Sequence, residues 1–385
     1  MRRIRAAVGI TLFMDSVLYL ALVPFLPYYA DKFDLSKAEA GAVLAALPVA
    51  ILIAAVPTGW LAGRVGARRV VIAGNVMFTI ATLAFAFAPS IWVLVAARAA
   101  QGVANAACWG ASMAWLTANA PAERRGETVG GVMGLVSAGS IAGPAFGALG
   151  GWTSPSVAFS IIAVIGGVAT VITIMAPTGR EEPATLGIRS DLSRSIRHPL
   201  VIAGLAVASM DAFCAAVVNL LGPLRLGEDG WSAQAIAVPI LLGSAVGWSL
   251  AGYAGRLSDR VGPVRVALVP GIGMSLLCAA LAIALSSPLV LFSVFVLGPL
   301  FAFQATAVYP LCTAGADELH VPHGVVNGIM NLAWSGGLVI GQIGGGILAE
   351  SHGDEAAYAA SAVVIAGLLV VTVVCGNRRP LALSA

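Results

Sequence analysis

Two aspartates, Asp15 and Asp211, stand inside long apolar runs 196 residues apart, each following a methionine. A carboxylate in hydrocarbon costs about 2.5–3.5 kcal/mol on insertion scales. The chemistry open to it is reversible: it takes up a proton or holds a cation, and desolvation and neighbouring charge decide which. A proton and a cationic ligand can therefore compete for one acid. Arg98 is the only basic residue within an apolar span. On a helix, Arg98, Gln101, Asn105, Trp109 and Ser112 fall within a sector of about 80°. Lipid rejects such a stripe, so it should face a central cavity. Arg98 is expected to pair with an acid or with backbone carbonyls, in a coupling or a structural role. Trp109 either walls a site for an amine or anchors its helix near an interface. Asn327, Asn331, Trp334 and Gln342 form a second stripe, and Gln304, Tyr309 and Asn219 add uncharged polar groups on other spans. Such groups orient a ligand or bridge helices.

The elements that must position these groups are membrane helices. The chain is 59% hydrophobic and 10% charged, with mean hydropathy +0.94. Soluble domains carry about 25% charged residues. Twelve apolar spans are expected at 7–30, 39–62, 70–88, 90–119, 126–150, 155–177, 199–223, 232–255, 265–285, 288–316, 324–349 and 356–376. Each is long enough to cross a hydrocarbon core of about 30 Å. At 1.5 Å per residue, Asp15 should lie roughly 13 Å deep and Asp211 roughly 18 Å. The connecting segments alternate in charge. One set holds seventeen of the 21 cations and the other only Lys32, Lys37 and Arg225, while the acids outside spans divide eight and eight. Basic residues set orientation, so both termini are expected in the cytoplasm of a cell-membrane protein. The basic start followed by an apolar run is read as a retained first span, because it contains Asp15 and lacks a small-residue cleavage site.

The sequence repeats itself. Gly59-Trp-Leu-Ala-Gly-Arg64-Val-Gly66-Ala-Arg68-Arg69 recurs 196 residues later as Gly255-Arg-Leu-Ser-Asp259-Arg260-Val-Gly262-Pro-Val-Arg265. Pro27 and Ser36 return as Pro223 and Ser232. At an offset of 198, Gly130, Gly139, Gly143 and Gly147 return as Gly328, Gly337, Gly341 and Gly345. The expected domains are a six-helix half at 1–177, a linker at 178–198, a second half at 199–376 and a tail at 377–385. Parallel duplication of this kind is expected of secondary transporters, with a site at mid-membrane between the halves. The run around Gly143-Pro144 lacks a following Lys-Ser/Thr and is no phosphate loop; it permits close packing and a kink. The five cysteines are scattered over the spans and read as small apolar fillers. His320-x-x-His323 lacks a defined ligand set, so no metal is expected. No Ser/His pair or HExxH motif in the spans suggests an enzyme.

These residues resemble the major facilitator superfamily. The loop from Gly59 to Arg69 looks like the family's G-x-L-a-D-R-x-G-R-R signature, and Arg98-Ala-Ala-Gln101-Gly102 resembles its R-x-x-Q-G element. Gly130-x8-Gly139-x3-Gly143-Pro144-x2-Gly147 resembles the antiporter motif of drug–proton exchangers. Span one, from Phe13 to Pro27, is similar to the first helix of vesicular monoamine transporters and tetracycline exporters. In the amine transporters the acid equivalent to Asp15 is implicated in holding the substrate amine. Three departures stand out. Gly63 replaces the signature's Asp, which only the second copy keeps as Asp259; Ala148 replaces the last glycine of the antiporter motif; and Asn331 stands where the amine transporters have an acid.

The resemblance implies an all-α bundle of twelve membrane helices in two pseudo-symmetric halves. It implies a proton-coupled exporter of hydrophobic small molecules, cationic ones among them, such as drugs or secondary metabolites. Gly59, Arg64, Gly66, Gly139, Gly143, Pro144, Gly147, Asp259 and Arg260 would serve the conformational change. Asp15 would hold a substrate amine or a proton, Asp211 would be the second proton-linked acid, and Arg98 would modulate one of them. Protons are the only coupling partner expected, with no cofactor, no nucleic acid and a monomer in the bilayer. Import of a nutrient by proton symport is the alternative, and a non-transporting receptor on the same fold is a third.

Overall fold

A computed structural model describes residues 1–121, 124–180, 188–321 and 323–377. Arg378 and Arg379 of the expected tail and the middle of the linker lie outside the described residues, as do the side chains of Arg125, Arg189 and His323. The elements are α1 Arg2–Ala21, α2 Leu26–Phe33, α3 Lys37–Val65, α4 Ala67–Ala86, α5 Ile91–Asn119, α6 Arg125–Trp152 and α7 Pro155–Met175. They continue as α8 Ile188–Ser195, α9 Pro199–Glu228, α10 Ala233–Val261, α11 Pro263–Ile283, α12 Ser287–Leu319, α13 His323–Val339, α14 Gly345–His352 and α15 Asp354–Gly376. Twelve helical spans among the described residues are long and apolar enough to cross a membrane.

The repeated residues prove to be the punctuation of the helices. Ser36 caps α3 with a reciprocal pair of bonds to Glu39, 3.2 Å and 2.9 Å. Its repeat, Ser232, accepts from Ala235 N at 3.3 Å and caps α10. Both satisfy backbone donors that a helix start leaves free. Gly66 and Gly262 turn the chain between α3 and α4 and between α10 and α11 with φ of 97° and 91°. A side chain there would be strained, which explains the glycine in both copies.

Two spans depart from the simple reading. Span one starts at Arg2 rather than near residue 7 and is broken by a 3₁₀ turn at Val23–Phe25, where Pro24 removes a donor. Asp15 is thus about 20 Å from its helix start, much closer to the 18 Å of Asp211 than the sequence suggested. Span eleven runs as α13, a π-helical turn at Ile340–Gly344, and α14. That turn adds a residue per cycle and shifts every later side chain around the axis.

In the first half, α1 packs on α6 and α7, α3 on α5, and α4 on α5 and α7. In the second half, α9 packs on α12, α13 and α15, α10 on α12, and α11 on α12 and α15. The antiporter-like glycines set the α1–α6 distance. A Cβ on Gly139 would sit 2.5 Å from the carbonyl oxygen of Phe13 and 2.9 Å from Ser16 Cβ. Gly337 on α13 repeats this against Ser209 and Ala212 of α9, at 2.6 Å and 3.1 Å. Small residues allow this approach where lipid offers no hydrophobic drive for association.

The halves meet through α3 with α13 and α14, α6 with α10, and α2 with α9. Their polar ties lie at one end, the acidic face. Lys37 Nζ donates to both oxygens of Asp354 at 2.8 Å and 2.9 Å and lies 3.3 Å from Glu228. Glu350 accepts from Ala38 N at 3.0 Å, and Gly41 packs against the Gln342 carbonyl. At the opposite, basic face no ion pair crosses between halves among the described residues.

Candidate functional site

Asp15 and Asp211 lie in α1 and α9, the central helices of their halves, with 8% and 5% of their surfaces exposed. The environments differ. Asp15 is fully engaged: Asn105 Nδ2 donates to both of its oxygens at 2.7 Å, and Trp109 Nε1 donates to Oδ2 at 2.7 Å. Of the stripe read from span four, Asn105 and Trp109 reach an acid, and Trp109 is a donor to it rather than an interfacial anchor. Such bonds to a carboxylate are the strong kind. Asp211 has no hydrogen-bond or ion-pair partner among the described residues.

Arg98 corrects one expectation. It neither pairs with an acid nor reaches a backbone carbonyl. Its Nη1 donates to Gln101 Oε1 at 3.1 Å, one turn away, and its guanidinium lies 6.0 Å from the centre of the Phe85 ring. Gln101 in turn donates to Thr82 at 3.4 Å. Arg98 Nε has no partner, and the charge acts on Asp15 and Tyr19 only at a distance. An aromatic face and an amide oxygen take the place of the carboxylate.

The other sequence candidates scatter. Trp334 comes to the seam between halves, where its ring lies 5.4 Å from that of Tyr19 at 48°. Asn331, Trp334 and Asn219 are partly buried and Asn327 is exposed. Gln304 is wholly buried with neither amide atom satisfied, and Gln342 gives only its backbone carbonyl to the acidic-face seam while its side-chain Oε1 has no partner. Tyr309 is 46% exposed. Ser112 is buried with a free hydroxyl. Among the loop motifs, Arg64 stacks on Trp60 at 3.9 Å, while Asp259 and Arg260 are exposed. Asp259 has no partner among the described residues, so it makes no charge latch with them in this conformation. Gly59 has nothing within 4 Å, whereas Gly143 packs on Val17 and Gly147 on Pro24. Pro144 lies within α6. No cluster of three metal-ligating residues occurs among the described residues. Cys214 and Cys278, 64 positions apart in the sequence, are neighbours in the core.

Two features escaped the sequence reading. Tyr19 stands four residues after Asp15, so helical spacing alone could have placed it on the same side. Lys37 with Asp354 joins residues 317 positions apart and carried no local signal.

Comparison with known proteins agrees with this architecture. The profile of the Major Facilitator Superfamily matches residues 8–321. The MFS-type transporter ppzB of Metarhizium rileyi (strain RCEF 4871) is 34% identical over 149 residues, 37% of this chain, which spans about a third (31%) of that relative's length. The multi-drug resistance efflux pump PmrA of Streptococcus pneumoniae serotype 4 (strain ATCC BAA-334 / TIGR4) is 23% identical over 368 residues, covering 90% of this chain and 89% of the pump. The crystal structure of a bacterial homologue of the human lysosomal transporter Spinster, in an inward-facing and occupied conformation, superposes with a TM-score of 0.77 at 16% identity, covering 97% of this chain and 96% of that one. The likeness in structure is one of fold: twelve membrane helices in two pseudo-symmetric bundles. With a profile that covers most of its length and the duplicated helices just described, the chain belongs to the Major Facilitator Superfamily and is a multi-pass membrane protein.

Proposed function

We propose that this transporter is a proton-coupled exporter of hydrophobic small molecules, cationic ones among them. The observation that carries the reading is the pair of buried acids at matching depth in α1 and α9. The basic loops are cytoplasmic on this reading, because cations mark the inner side. The conformation described is then closed outward by the Lys37–Asp354 tie, and inward no ion pair joins the halves among the described residues. The halves, 1–177 and 199–376, rock about their seam while the linker 178–198 keeps them joined.

Exchange needs a group whose partners change with its proton. Asp15 has that property. As a carboxylate it clamps Asn105 and Trp109, binding α5 to α1. Once protonated it keeps less acceptor strength, and the clamp loosens. A proton arriving at Asp15 thereby alters the packing of α5, which also carries Arg98 and Gln101. Asp211, without a donor, is free to take a second proton or the cargo's charge. The glycine contacts of α6 on α1 and of α13 on α9 keep each acid-bearing helix fixed within its own half. Relatives that are efflux pumps support the outward direction.

The test uses inside-out vesicles with a pre-set proton gradient and ethidium as cargo. Adding ethidium should discharge the gradient in wild type and leave it intact with Asp15→Asn. Uptake that runs with the proton instead of against it would establish the symport alternative.

A further inference from the structure

The offset of 196 holds for contacts as well as for sequence. Gly102 of α5 packs on the carbonyl of Leu47 in α3, and Gly298 of α12 packs on the carbonyl of Gly243 in α10. The two halves can therefore be compared position by position. Asn105 and Trp109, the donors to Asp15, return as Phe301 and Ala305, which have no side-chain donor. Cys108, whose Sγ lies 3.5 Å from Asn75 Oδ1 on α4, returns as Gln304, while Asn75 returns as Gly271. The second half thus lacks the donors that hold Asp15, and it gains an amide whose counterpart on α11 is a glycine.

The α9–α12 contact brings these two orphaned groups to one level. Gly204 of α9 packs on Leu311 and Cys312, and Gly222 packs on Val290 and Val294, so the helices run antiparallel along this face. Seven residues after Gly204 stands Asp211, and seven before Leu311 stands Gln304. By helical periodicity Asp211 lies within about 20° of Gly204 and Gly222, and Gln304 within about 40° of Val290 and Leu311. Both therefore face the contact. Asp211 is 5% exposed and Gln304 is 0% exposed, and neither has a partner among the described residues. The neighbours of Gln304 on that face, Leu297, Val308 and Leu311, are buried and apolar.

We propose that α9 and α12 enclose a water-binding site between the Asp211 carboxyl and the Gln304 amide. Water joins polar groups that face each other at a separation too wide for a direct bond. The two carboxyl oxygens with Nε2 and Oε1 of the amide offer four partners, and a buried water takes about two to four. The amide decides the class of ligand. A cation would engage Oε1 and leave Nε2 unpaired, and an anion would be repelled by the carboxylate. Water both donates and accepts, so it satisfies both amide atoms. It also gives Asp211 a partner whether or not the acid carries a proton, whereas Asp15 meets only donors. On the exporter reading the second acid can then change its proton without parting α9 from α12. That property rests on the exporter reading; the site itself does not.

A cryo-electron-microscopy map of the purified full chain that resolves ordered water tests the site directly. Density within hydrogen-bond reach of both Asp211 and Gln304 is expected, and a dry contact overturns the proposal. The sign of Gln304→Met gives an independent test, because methionine keeps the length of the side chain and removes the amide. Removing a buried amide that bonds nothing stabilises a protein; removing one that shares a water with Asp211 strands the carboxyl. The variant should shift the unfolding equilibrium in detergent toward the unfolded chain by about fivefold or more. In an Asp211→Leu background the same change should move that equilibrium by less than about twofold. A Gln304→Met chain as stable as wild type, or more stable, overturns the proposal. Replacing sodium by choline in the buffer should leave unfolding of the wild type unchanged; stabilisation by sodium that Asp211→Asn abolishes would assign the site to a cation and overturn it. None of these measurements needs a gradient or a cargo. Water in the map with no proton exchange in vesicles keeps the site and refutes the exporter reading; proton exchange with a dry contact does the reverse.

Discussion

Gly139→Ala and Gly130→Ala add the same methyl to the same helix and should have opposite consequences. At Gly139 the new Cβ would lie 2.5 Å from the Phe13 oxygen and 2.9 Å from Ser16 Cβ. Ordinary contact needs roughly 3.4–4.0 Å, so α6 must withdraw from α1 by about 1 Å. The obstacle is backbone, which cannot turn aside as a long side chain can. Overpacking of this kind costs about 1–3 kcal/mol. At Gly130 nothing lies within 4 Å. There the substitution contributes only helix propensity, a gain of up to about 1 kcal/mol. The two variants should therefore differ by about 1–4 kcal/mol, with the Gly139 variant the less stable. The assay is unfolding of each purified protein in detergent, followed by tryptophan fluorescence. Because Gly337 meets α9 as Gly139 meets α1, Gly337→Ala should repeat the loss. Equal stability of the Gly139 and Gly130 variants would falsify the claim that these glycines set the distance between helices.

Three further outcomes follow from other contacts. Trp109→Phe and Asn105→Leu should each destabilise the chain by about 1.5–3 kcal/mol through loss of bonds to the Asp15 carboxylate, and the double variant should lose less than the sum, as a shared acceptor requires; additive losses in detergent unfolding would speak against a common network. Lys37→Met leaves the nearly buried Asp354 without its cation, and because Lys37 is partly exposed the penalty should fall at about 1–3 kcal/mol, below the 3–5 of a fully buried pair. Its readout is a several-fold faster reaction of a Gln342→Cys reporter with a membrane-impermeant maleimide added from the acidic face, and unchanged labelling would show that the tie does not hold the seam. Ser36→Ala removes a reciprocal cap and should cost about 1 kcal/mol, while Ser232→Ala, with one capping bond, should cost less; the order of the two unfolding midpoints decides.

Much of the scaffold was legible because lipid imposes simple rules. Length and hydropathy located every span, the distribution of arginine suggested its direction, and internal repetition exposed the two halves. Asp15 and Asp211 announced themselves because charge is so rarely tolerated at that depth. Helical periodicity was enough to collect Arg98, Gln101, Asn105 and Trp109 onto one face. It did not give the partner of Arg98, expected to be an acid or a backbone carbonyl, because a phenyl ring and an amide met the need instead.

The identity of each neighbour was decided only in three dimensions. A membrane span is apolar on all sides, so its pattern does not say which face meets protein and which meets lipid. Backbone-to-backbone approach at Gly139, Gly102 and their repeats chooses the face. That choice sets Asn105 and Trp109 on Asp15 and leaves Asp211 bare. The meeting of Tyr19 with Trp334, and of Lys37 with Asp354, joins residues more than 300 positions apart. No local rule spans such a distance; only the packing of one half against the other brings these side chains together.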